Sequence, residues 1–321
     1  MTEHKTIATH SGSFHADDVF GVGVLMAVFP SHTLVRSRQD ALIDAVDFAV
    51  DVGGIWDTAR GRFDHHQRGF DGARPAREVN GEPADGVGYA SAGLVWSAHG
   101  AAYVQALAAS VGAPLDADAV AETVQSLDDS LVQYLDIVDT GQGNVAPGIF
   151  GLSALIAQLN TGWMEEQGLT ASAKAELQDS RFREAVAITR KFLDRAVLKQ
   201  ISKLRSLDIV RRAPRLMDGR VLHLQEGGMP WSQVVVQEMP DVRFVIYTDS
   251  EGEQYQVKTV PVAHGSFVAR LDLPKTWAGL RNQELAAVTG VPDSVFCHSN
   301  LFIGGARSME GALRLAALAL G

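Results

Sequence analysis

Four short polar clusters in the first half of the chain combine histidine and aspartate, side chains that bind divalent metal ions. The segment THSGSFHADD (9–18) follows a short apolar run, and FAVDVGG (48–54) ends another. The third cluster is DHH (64–66), and the fourth lies in YLDIVDTGQG (134–143). The candidate metal ligands are His10, His15, Asp17, Asp51, His65 and Asp139, with Asp136 as the alternative to Asp139.

The elements that must position these clusters alternate between strand-like and helix-like segments. KTIATH, HTLVRSR and VDFAVDVGG are predicted strands, while ADDVFGVGVLMAV and DALIDA are predicted helices. Further helices are predicted at about 91–111 and 118–135. This βαβα order predicts an α/β fold, with a mostly parallel sheet and flanking helices.

The predicted strands bring three clusters to one edge of that sheet. His10 ends the first strand, Asp51 ends the strand FAVDV, and the DHH cluster follows the short run GRF. In open α/β sheets, ligands bind beyond the carboxyl ends of the strands. If these segments are neighbouring strands, we expect the six candidate ligands to converge there.

Carboxylates gathered in this way need a cation. Two of them about 4 Å apart repel by roughly 4 kcal/mol at an effective dielectric constant near 20, and a bound divalent ion reverses the sign of that interaction. Imidazole and carboxylate without thiolate favour manganese, iron, zinc or cobalt over a thiolate-type structural zinc site. Six ligands are too many for one tetrahedral ion, but they fit two ions that share a bridging carboxylate and catalyse in-line phosphoryl displacement.

Each cluster taken singly also has an ordinary structural interpretation. His10 alone would be a packed or solvated histidine, Asp17 a charge in the first turn of a helix, and Asp51 a turn cap. In the fourth cluster either aspartate could be the ligand, and we prefer Asp139 because Gly141 allows close backbone approach. Four such clusters in order, three of them after apolar runs, favour a metal site.

The second half of the chain changes character. Residues from about 174 to 206 have the periodicity of a long amphipathic helix. RFVIYTDSEGEQYQVKTV predicts a hairpin around residues 250–252, and GGARSMEGALRLAALAL predicts a glycine turn that leads into a helix near Met309. We therefore expect a smaller mixed α/β domain in the C-terminal part.

The bulk properties of the 321-residue chain narrow its functional class. The length predicts two domains. The net charge of −10 argues against a long, non-specific duplex-binding surface, but not against a nuclease with bound cations. The lone cysteine, Cys297, favours a reducing compartment. Because no signal-peptide pattern or membrane-spanning run is found, we expect a cytoplasmic protein without a membrane partner.

The clusters resemble those of the DHH phosphoesterase superfamily, and longer strings are more specific. THSGSFHADD, VDVGGIWD, RFDHHQRGF, ASAGLVW, FVIYTD, WAGLRNQEL and FIGGARSMEGAL are similar to the melanocyte-proliferating-gene family of DHH-like hydrolases. The resemblance runs from the N-terminus to the last helix. It implies a DHH-like catalytic domain (1–173), a helical connector (174–206) and a C-terminal substrate-binding domain (207–321), with the active site in the cleft between.

The resemblance also implies an activity and divides the ligands between two metal ions. Superfamily members cleave phosphoester or phosphoanhydride bonds, commonly with manganese, and family members are described as 3′→5′ RNA exonucleases. By position, one ion would be held by His10, His15 and Asp51, and the second by Asp17, Asp51, His65 and Asp139, with Asp51 as the bridge.

Three further residues are catalytic candidates: His66 and Asp64 of the DHH cluster, and Arg68, which is well placed just after it to contact phosphate. His66 would contact the scissile phosphate or orient a ligand. The chain departs from the pattern at His15, where superfamily members usually have a carboxylate, so the first metal site carries less negative charge. It also has Ala16-Asp17-Asp18 where the family usually shows Cys-Asp-Glu.

A phosphoester enzyme needs groups that bind the non-bridging phosphate oxygens. Gly304-Gly305 precedes a predicted helix, where backbone amides favour phosphate, although the pair is also typical of a plain turn. C-terminal domains of the superfamily present a glycine-rich substrate loop, which favours the first interpretation. Other candidate phosphate contacts are Arg307, Arg270, Arg281, His264 and His298, and aromatic side chains that could stack on bases are Trp231, Phe267, Trp277 and Phe302.

Three functions remain open from the sequence. The first is a two-metal phosphodiesterase, with two ions such as Mn²⁺ and a metal-bound hydroxide as nucleophile, that acts as an exonuclease on single-stranded RNA or short oligonucleotides. The second is a small-molecule nucleotide phosphatase or pyrophosphatase, which the net charge of −10 also fits. The third is a non-enzymatic, metal-binding regulatory protein. A homo-oligomer is compatible with all three.

Overall fold

The computed structural model of this protein describes residues 3–79, 82–84, 86–143, 145–146, 148 and 151–321. They divide into two compact units, Met1–Ile201 and Ser202–Gly321. The strands of the first unit are β1 (Lys5–Thr9), β2 (His32–Arg36), β3 (Phe48–Val50), β4 (Trp56–Asp57), β5 (Arg62–Phe63), β6 (Arg77–Val79) and β7 (Glu82–Ala84). Its helices are α1 (Ala16–Val28), α2 (Asp40–Asp44), α3 (Ser91–Ser110), α4 (Ala117–Leu127), α5 (Gln133–Asp139), α6 (Leu152–Ala157) and α7 (Trp163–Glu166), and α8 (Ala171–Arg212) begins in this unit.

The main sheet of the first unit has the order β2-β1-β3-β5-β4. Strand β1 pairs in parallel with β2 and β3, and β3 pairs in parallel with β5, while the short β4 is antiparallel to β5. The predicted α/β class with a mostly parallel N-terminal sheet is therefore confirmed. Because β2 and β3 lie on opposite sides of β1, the strand order reverses at β1, and ligands of such sheets bind beyond the strand ends at this reversal.

Helix α1 follows β1 directly and packs on both the sheet and α3. It is apolar around most of its circumference, with Val19, Phe20 and Val22 wholly buried. A Cβ added at Gly21 would lie 2.9 Å from Cγ1 of Val50 and 3.3 Å from Cγ2 of Val95, so the glycine allows close approach of the helix to β3 and α3. The start of α1 is thereby held next to the ends of β1 and β3.

The helix predicted at about 118–135 is interrupted. Helix α4 ends at Leu127, a π-helical turn follows at Asp128–Val132, and α5 continues to Asp139. Such turns often occur at functional sites, where an extra residue re-aims the following turn. The interruption matters because α5 carries both aspartates of the fourth cluster.

The second unit contains one mixed sheet with the order β12-β13-β11-β10-β9-β8. Its strands are β8 (Arg215–Leu216), β9 (Val221–His223), β10 (Phe244–Thr248), β11 (Tyr255–Thr259), β12 (Ser294–Cys297) and β13 (Ile303–Ala306), and its helices are α9 (Ser232–Glu238), α10 (Asn282–Thr289) and α11 (Met309–Leu320). The predicted hairpin is formed by β10 and β11, which pair antiparallel. Phe244 and Ile246 of β10 pack in one apolar cluster with α10 and α11, and Val245 packs in another with α9, as strand alternation requires.

The expected glycine turn at Gly304-Gly305 was wrong, because both residues lie in β13. Both glycines lie close to the backbone of a neighbouring strand. A Cβ added at Gly304 would lie 3.1 Å from the carbonyl oxygen of Phe296, and one added at Gly305 would lie 3.1 Å from the carbonyl oxygen of Tyr255. Glycine therefore serves tight strand packing here. Among the described residues, no helix combines the length and apolar character needed to cross a bilayer.

Candidate metal centre

Asp51 lies at the middle of a cluster formed by the strand ends of the first unit. It follows β3 directly and has a backbone φ of +55°, a left-handed conformation that is uncommon outside glycine and often found at functional sites. The turn keeps its carboxylate at the sheet edge: Oδ2 lies 3.3 Å from Nε2 of His10, and Oδ1 lies 3.5 Å from Nε2 of His65 and 3.3 Å from Nδ1 of His66. The two oxygens of one carboxylate thus face two different histidine clusters.

The first histidine cluster comes from the β1–α1 connection. His10 follows β1 and is buried, while His15 is exposed at the N-terminus of α1, with ring centroids 5.9 Å apart. One ligand atom each of His10, His15 and Asp51 lie within 4.8 Å of one another. His15 therefore belongs to this cluster of candidate ligands.

The second histidine cluster follows β5. Nε2 of His65 lies 3.2 Å from Oδ2 of Asp139, the last residue of α5. Nδ1 of His66 lies 2.8 Å from Oδ1 of Asp64, and Asp64 is buried and accepts a hydrogen bond from the Gly54 amide at 2.6 Å. The loop after β3 thus fixes Asp64, and Asp64 fixes the more exposed His66 ring.

Asp17 completes the set from the first turn of α1. One ligand atom each of His15, Asp17 and Asp139 lie within 4.8 Å of one another. Asp17 is buried, and neither of its carboxylate oxygens accepts a hydrogen bond from any donor in the part of the chain that the structure describes. A buried carboxylate without donors is costly unless a cation neutralises it.

The protonation behaviour of the cluster shows the same need for positive charge. Burial, with the charges of Asp51 and Asp139, raises the pKa of Asp17 well above its usual range. Burial opposes the charged form of His65, but hydrogen bonds to Asp139 and Asp51 outweigh it and raise the pKa of His65 to about 10. Bonding to Asp51 raises the pKa of His66 to about 9. Asp17 thus favours its protonated form, while the burial of Asp51 is outweighed by the histidines around it, which lower the pKa of that carboxyl and are themselves favoured as cations. Positive charge at this cluster is therefore stabilising.

The chemistry of the donors fits divalent ions. Three overlapping triads of imidazole nitrogen and carboxylate oxygen are present, and Asp51 belongs to two of them. The orphaned oxygens of Asp17 need a positive partner. The donor set has no thiolate, so it suits manganese, iron, cobalt or zinc with mixed nitrogen and oxygen ligands. The residues present therefore fit the two-ion centre that the sequence predicts.

Two residues contact candidate ligands of the centre but were not predicted from the sequence. Asp18 is fully buried, with Oδ2 3.3 Å from Nε2 of His10, while its Oδ1 accepts hydrogen bonds from the amides of His15 and Val19 at the start of α1. Ser91, at the start of α3, donates a hydrogen bond from Oγ to Oδ1 of Asp51 at 3.1 Å. Both contacts orient candidate ligands, and the sequence showed only that Asp18 lies beside Asp17.

The structure separates the two aspartates of the fourth cluster. Asp139 reaches His65, whereas Asp136, one turn earlier on α5, is fully buried and paired with Arg74 at 2.8 Å. Asp136 also accepts a hydrogen bond from the Gly93 amide at 3.0 Å. Asp136 is therefore engaged by Arg74 and the Gly93 amide, while Asp139 is the aspartate of this cluster that lies beside a candidate metal-binding histidine.

An open, polar cavity of about 630 Å³ adjoins the centre. His65, His66 and Asp139 line one side of it, and Phe70, Tyr89 and Gln142 belong to the remainder. Arg68, two residues after His66, is exposed in the same loop. A substrate held in this cavity would lie against the exposed side of the ligand cluster.

The predicted substrate contacts of the C-terminal unit differ widely in environment. Arg307, His264, His298 and Arg281 are exposed. Arg270 was predicted as a phosphate contact, but its guanidinium donates to four carbonyl oxygens, those of Val235, Val236, Met239 and Val242, at 2.7–3.4 Å. It therefore caps the C-terminal end of α9 and is not free to bind phosphate. Trp277 is buried in the core, whereas Trp231, Phe267 and Phe302 line a cavity.

Fold and geometry together define an α/β protein with a histidine–aspartate centre at the carboxyl edge of a parallel sheet. Residues 6–320 match the family MYG1_exonuc, described as an uncharacterised protein family (UPF0160), and the chain belongs to this family. The chain is 32% identical to the MYG1 exonuclease of Bos taurus, over 97% of this chain and 83% of the relative. It is 31% identical to the MYG1 exonuclease of Homo sapiens, over 97% and 84%, and 30% identical to a MYG1 protein of Caenorhabditis elegans, over 98% and 94%.

Solved structures of a bacterial nuclease show a looser likeness. Exonuclease RecJ bound to manganese superposes with a TM-score of 0.29 and 14% identity, over 98% of this chain and 90% of that chain. RecJ from Thermus thermophilus in complex with Mn²⁺ gives a TM-score of 0.26 and 15% identity, over 98% and 52%. Similarity this low supports no transfer of residue roles.

Proposed function

We propose that the protein is a two-metal phosphodiesterase that removes nucleotides from single-stranded RNA or short oligonucleotides in the 3′→5′ direction. The observation that supports this most strongly is the position of Asp51, whose two carboxylate oxygens face two separate histidine clusters. A carboxylate placed between two ligand sets could serve two ions about 3.5–4 Å apart, the spacing of two-metal phosphoryl-transfer sites. Relatives at 31–32% identity are named exonucleases, which are enzymes that hydrolyse phosphoester bonds.

The proposed ligands divide into two sets that share Asp51. One ion would be held by His10, His15 and Asp51, and the other by Asp17, Asp51, His65 and Asp139. Two bound divalent ions, proposed as Mn²⁺, would supply the Lewis acidity that lowers the pKa of water and offsets charge on the phosphoryl oxygens. The chain's own contribution is to fix these donors before the substrate arrives, through Ser91 on Asp51 and Asp18 on His10.

His66 is proposed to act on the substrate itself. Its Nδ1 is held by Asp64 and Asp51, while 62% of its side chain is exposed and lines the cavity beside the centre. With Nδ1 taken up, Nε2 is available to donate a hydrogen bond to a non-bridging phosphate oxygen. Asp64 would position this ring, and the exposed Arg68 would contact the phosphate as a second donor.

The proposed division of labour follows the predicted domains. Residues 1–173 would form the catalytic domain, 174–206 the connector and 207–321 the substrate-binding domain. In the substrate-binding domain, the exposed side chains available to bind phosphate are those of Arg307, His264 and His298. Gly304 and Gly305 would contribute indirectly, as part of strand β13, which ends just before Arg307. A cytoplasmic location stays a prediction from the sequence.

The direct test is hydrolysis of a 5′-labelled single-stranded RNA oligomer by the full chain. With Mn²⁺ we expect a ladder of labelled products that shortens from the 3′ end, and none with EDTA. Asp51→Asn should abolish the ladder, while Asp118→Asn, an exposed aspartate in the first turn of α4, should leave it intact. Release of the label as a mononucleotide would reverse the direction, and full activity of Asp51→Asn would contradict the mechanism.

The net charge of −10 favours a second candidate, a small-molecule nucleotide phosphatase on the same centre. Long polyanions are repelled by an acidic surface more than short ones are. A length series of oligonucleotides separates the two functions. A rate that falls to zero beyond the dinucleotide supports the phosphatase, and sustained cleavage of a 12-mer supports the exonuclease.

A further inference from the structure

A second cavity, of about 470 Å³, lies in the C-terminal unit. None of its described lining residues belongs to the proposed metal centre. It is bounded by the end of β11, the loop 261–269 and the residues just before β13. Its described lining includes the aromatic side chains Trp231, Phe267 and Phe302 and the cation Lys258, and it includes no carboxylate. The described lining of this cavity therefore carries positive charge and aromatic surface on a protein with a net charge of −10.

Lys258 has an unusual environment within this cavity. Its Nζ lies 4.1 Å from the centroid of the Phe302 ring, a cation–π contact. Among the described residues, no carboxylate lies within ion-pairing distance of this ammonium group, and burial lowers its pKa. A partly buried cation whose only partner is an aromatic face attracts an anion.

The Phe302 side is held firmly by its neighbours. Its ring lies 4.4 Å from the ring of His298, centroid to centroid. Its carbonyl oxygen accepts hydrogen bonds from the amide of Thr259 at 3.0 Å and from the Thr259 hydroxyl at 3.2 Å. Phe302, which contacts Lys258, is therefore held in place.

The opposite side presents an aromatic ring to solvent. Phe267 is fully exposed, at 104% of the reference area. The turn that carries it is closed by a hydrogen bond from the Val262 amide to the Val268 carbonyl at 2.9 Å, and by one from the Val268 amide to Oγ of Ser266 at 3.0 Å. An ordered turn thus holds an apolar ring out of the core, next to a cavity with an unpaired cation.

We propose that this cavity binds one unpaired nucleotide of a single-stranded nucleic acid, with the base against Phe267 and Trp231 and a phosphate against Lys258. The inference rests on the proposed nuclease function. A nucleotide has a flat base that could stack on the aromatic side chains and a phosphate that could bind the lysine. Base–aromatic stacking accepts any base. The cavity is separate from the predicted phosphate contact at Arg307, because Lys258 pairs with Ile303 at the start of β13, whereas Arg307 follows its end.

Binding is tested with the full chain in EDTA, so that no substrate is cleaved. The probe is a 5′-fluorescein 12-mer of uridine, followed by fluorescence anisotropy. We expect Phe267→Ala to weaken binding about tenfold, within the range of a lost base–aromatic stack. Lys258→Gln should weaken binding and reduce the slope of log K against log[salt] by about 0.7, the value for one lost phosphate contact on a single strand.

Matched controls come from outside the cavity. Phe192→Ala removes an exposed phenylalanine of α8, and Lys275→Gln removes an exposed lysine, and neither should change affinity or salt slope. Since Phe267 makes no core contact, its replacement leaves folding intact and the comparison interpretable.

Every other outcome overturns the subsite. Equal affinity of all variants shows that RNA binds elsewhere, and a loss confined to Lys258→Gln shows an anion site without stacking. A loss confined to Phe267→Ala shows an apolar contact without phosphate, as a protein partner would use. Cleavage of the same 12-mer with Mn²⁺ is measured in parallel: cleavage without these affinity losses rejects the subsite alone, whereas no cleavage by the wild type rejects the proposed exonuclease itself.

Discussion

Arg74 and Asp136 form a buried ion pair, with Nη1 of the arginine 2.8 Å from Oδ2 of the aspartate. Arg74 lies in the loop that follows the DHH cluster, and Asp136 lies one turn before Asp139 on α5. The arginine also binds Asp128 in the π-helical turn, through two hydrogen bonds of 2.6 and 2.7 Å. The pair therefore ties two segments that supply candidate metal ligands, His65 from one and Asp139 from the other.

We expect Arg74→Met to destabilise the protein strongly. The change removes one partner of a fully buried pair and leaves the Asp136 carboxylate uncompensated, which costs about 3–5 kcal/mol. The measurement is the free energy of unfolding by urea denaturation. Arg74→Met combined with Asp136→Asn should recover part of the loss, because the second change removes the buried Asp136 charge that the first leaves without Arg74.

The matched control is Arg181→Met, which removes an exposed arginine with two ion pairs. Exposed pairs contribute about 0–1 kcal/mol, so this variant should unfold close to the wild type. If Arg74→Met and Arg181→Met lose equal stability, the buried pair is not a structural tie.

Gly93 is expected to reject even the smallest side chain. A Cβ at this position would overlap Oδ2 of Asp136, well inside van der Waals contact. Gly93→Ala should therefore destabilise by about 1–3 kcal/mol, although alanine is the better helix former. Gly23→Ala in α1 is the control, since its Cβ would lie 3.2 Å from Cγ of the flexible Arg190 side chain and 3.7 Å, an ordinary contact distance, from Cγ1 of Val186. Equal urea midpoints for the two variants would show that Asp136 moves aside without cost.

Ser91 is expected to tune metal affinity. Ser91→Ala removes the hydroxyl that donates to Oδ1 of Asp51, and loss of such an outer contact weakens metal binding about 10–100-fold. Mn²⁺ affinity is measured by isothermal titration calorimetry. Ser110→Ala, which removes an exposed hydroxyl bonded to the Leu107 carbonyl, should bind Mn²⁺ as the wild type does. Unchanged affinity in Ser91→Ala would mean that the Ser91 hydroxyl does not help to position Asp51 for metal binding.

Metal ions should stabilise the fold. An ion at one hundred times its dissociation constant adds about 2.7 kcal/mol to the free energy of unfolding when it binds only the native state. We expect the melting temperature to rise with Mn²⁺ and the rise to vanish in Asp51→Asn, measured by calorimetry with and without EDTA. A rise of equal size in the variant would place the ions away from Asp51.

Arg270 should matter for stability of the C-terminal unit. Arg270→Met removes the guanidinium donor from the carbonyl oxygens of Val236, in α9, and Val242, and each unsatisfied buried carbonyl costs about 1–3 kcal/mol. Urea unfolding of this variant should show a loss of stability, whereas Arg281→Met, at an exposed position, should not. No loss in Arg270→Met would return this arginine to the candidate phosphate contacts.

The sequence predicted the parts of the centre that depend on local pattern and on one topological rule. His10 and Asp51 directly follow short strands that are neighbours in the sheet, so the strand-end rule brought them together. Helix α1 follows from an apolar run with acidic residues in its first turn, which is a local signal. His15 came with the same connection, because only four residues separate it from His10.

The features that the sequence did not reveal depend on contacts between distant segments. Arg74 and Asp136 are 62 positions apart in the sequence, and the residues around each of them do not indicate that the two will pair. Arg270 looked like a free cation because its four carbonyl partners are backbone atoms of another segment. The π-helical turn before α5 contains no glycine or proline that would predict an interruption of the helix. Gly304-Gly305 resembled a turn, since close packing between strands selects glycine as a turn does.

The central claim, a two-ion centre bridged by Asp51, is tested most directly by diffraction from crystals grown with Mn²⁺, with data collected at the manganese absorption edge. We expect two anomalous peaks about 3.5–4 Å apart, one on the His10 side and one on the His65 side of Asp51, and neither in Asp51→Asn crystals. A single peak, or two peaks that persist in Asp51→Asn, would contradict the bridged centre.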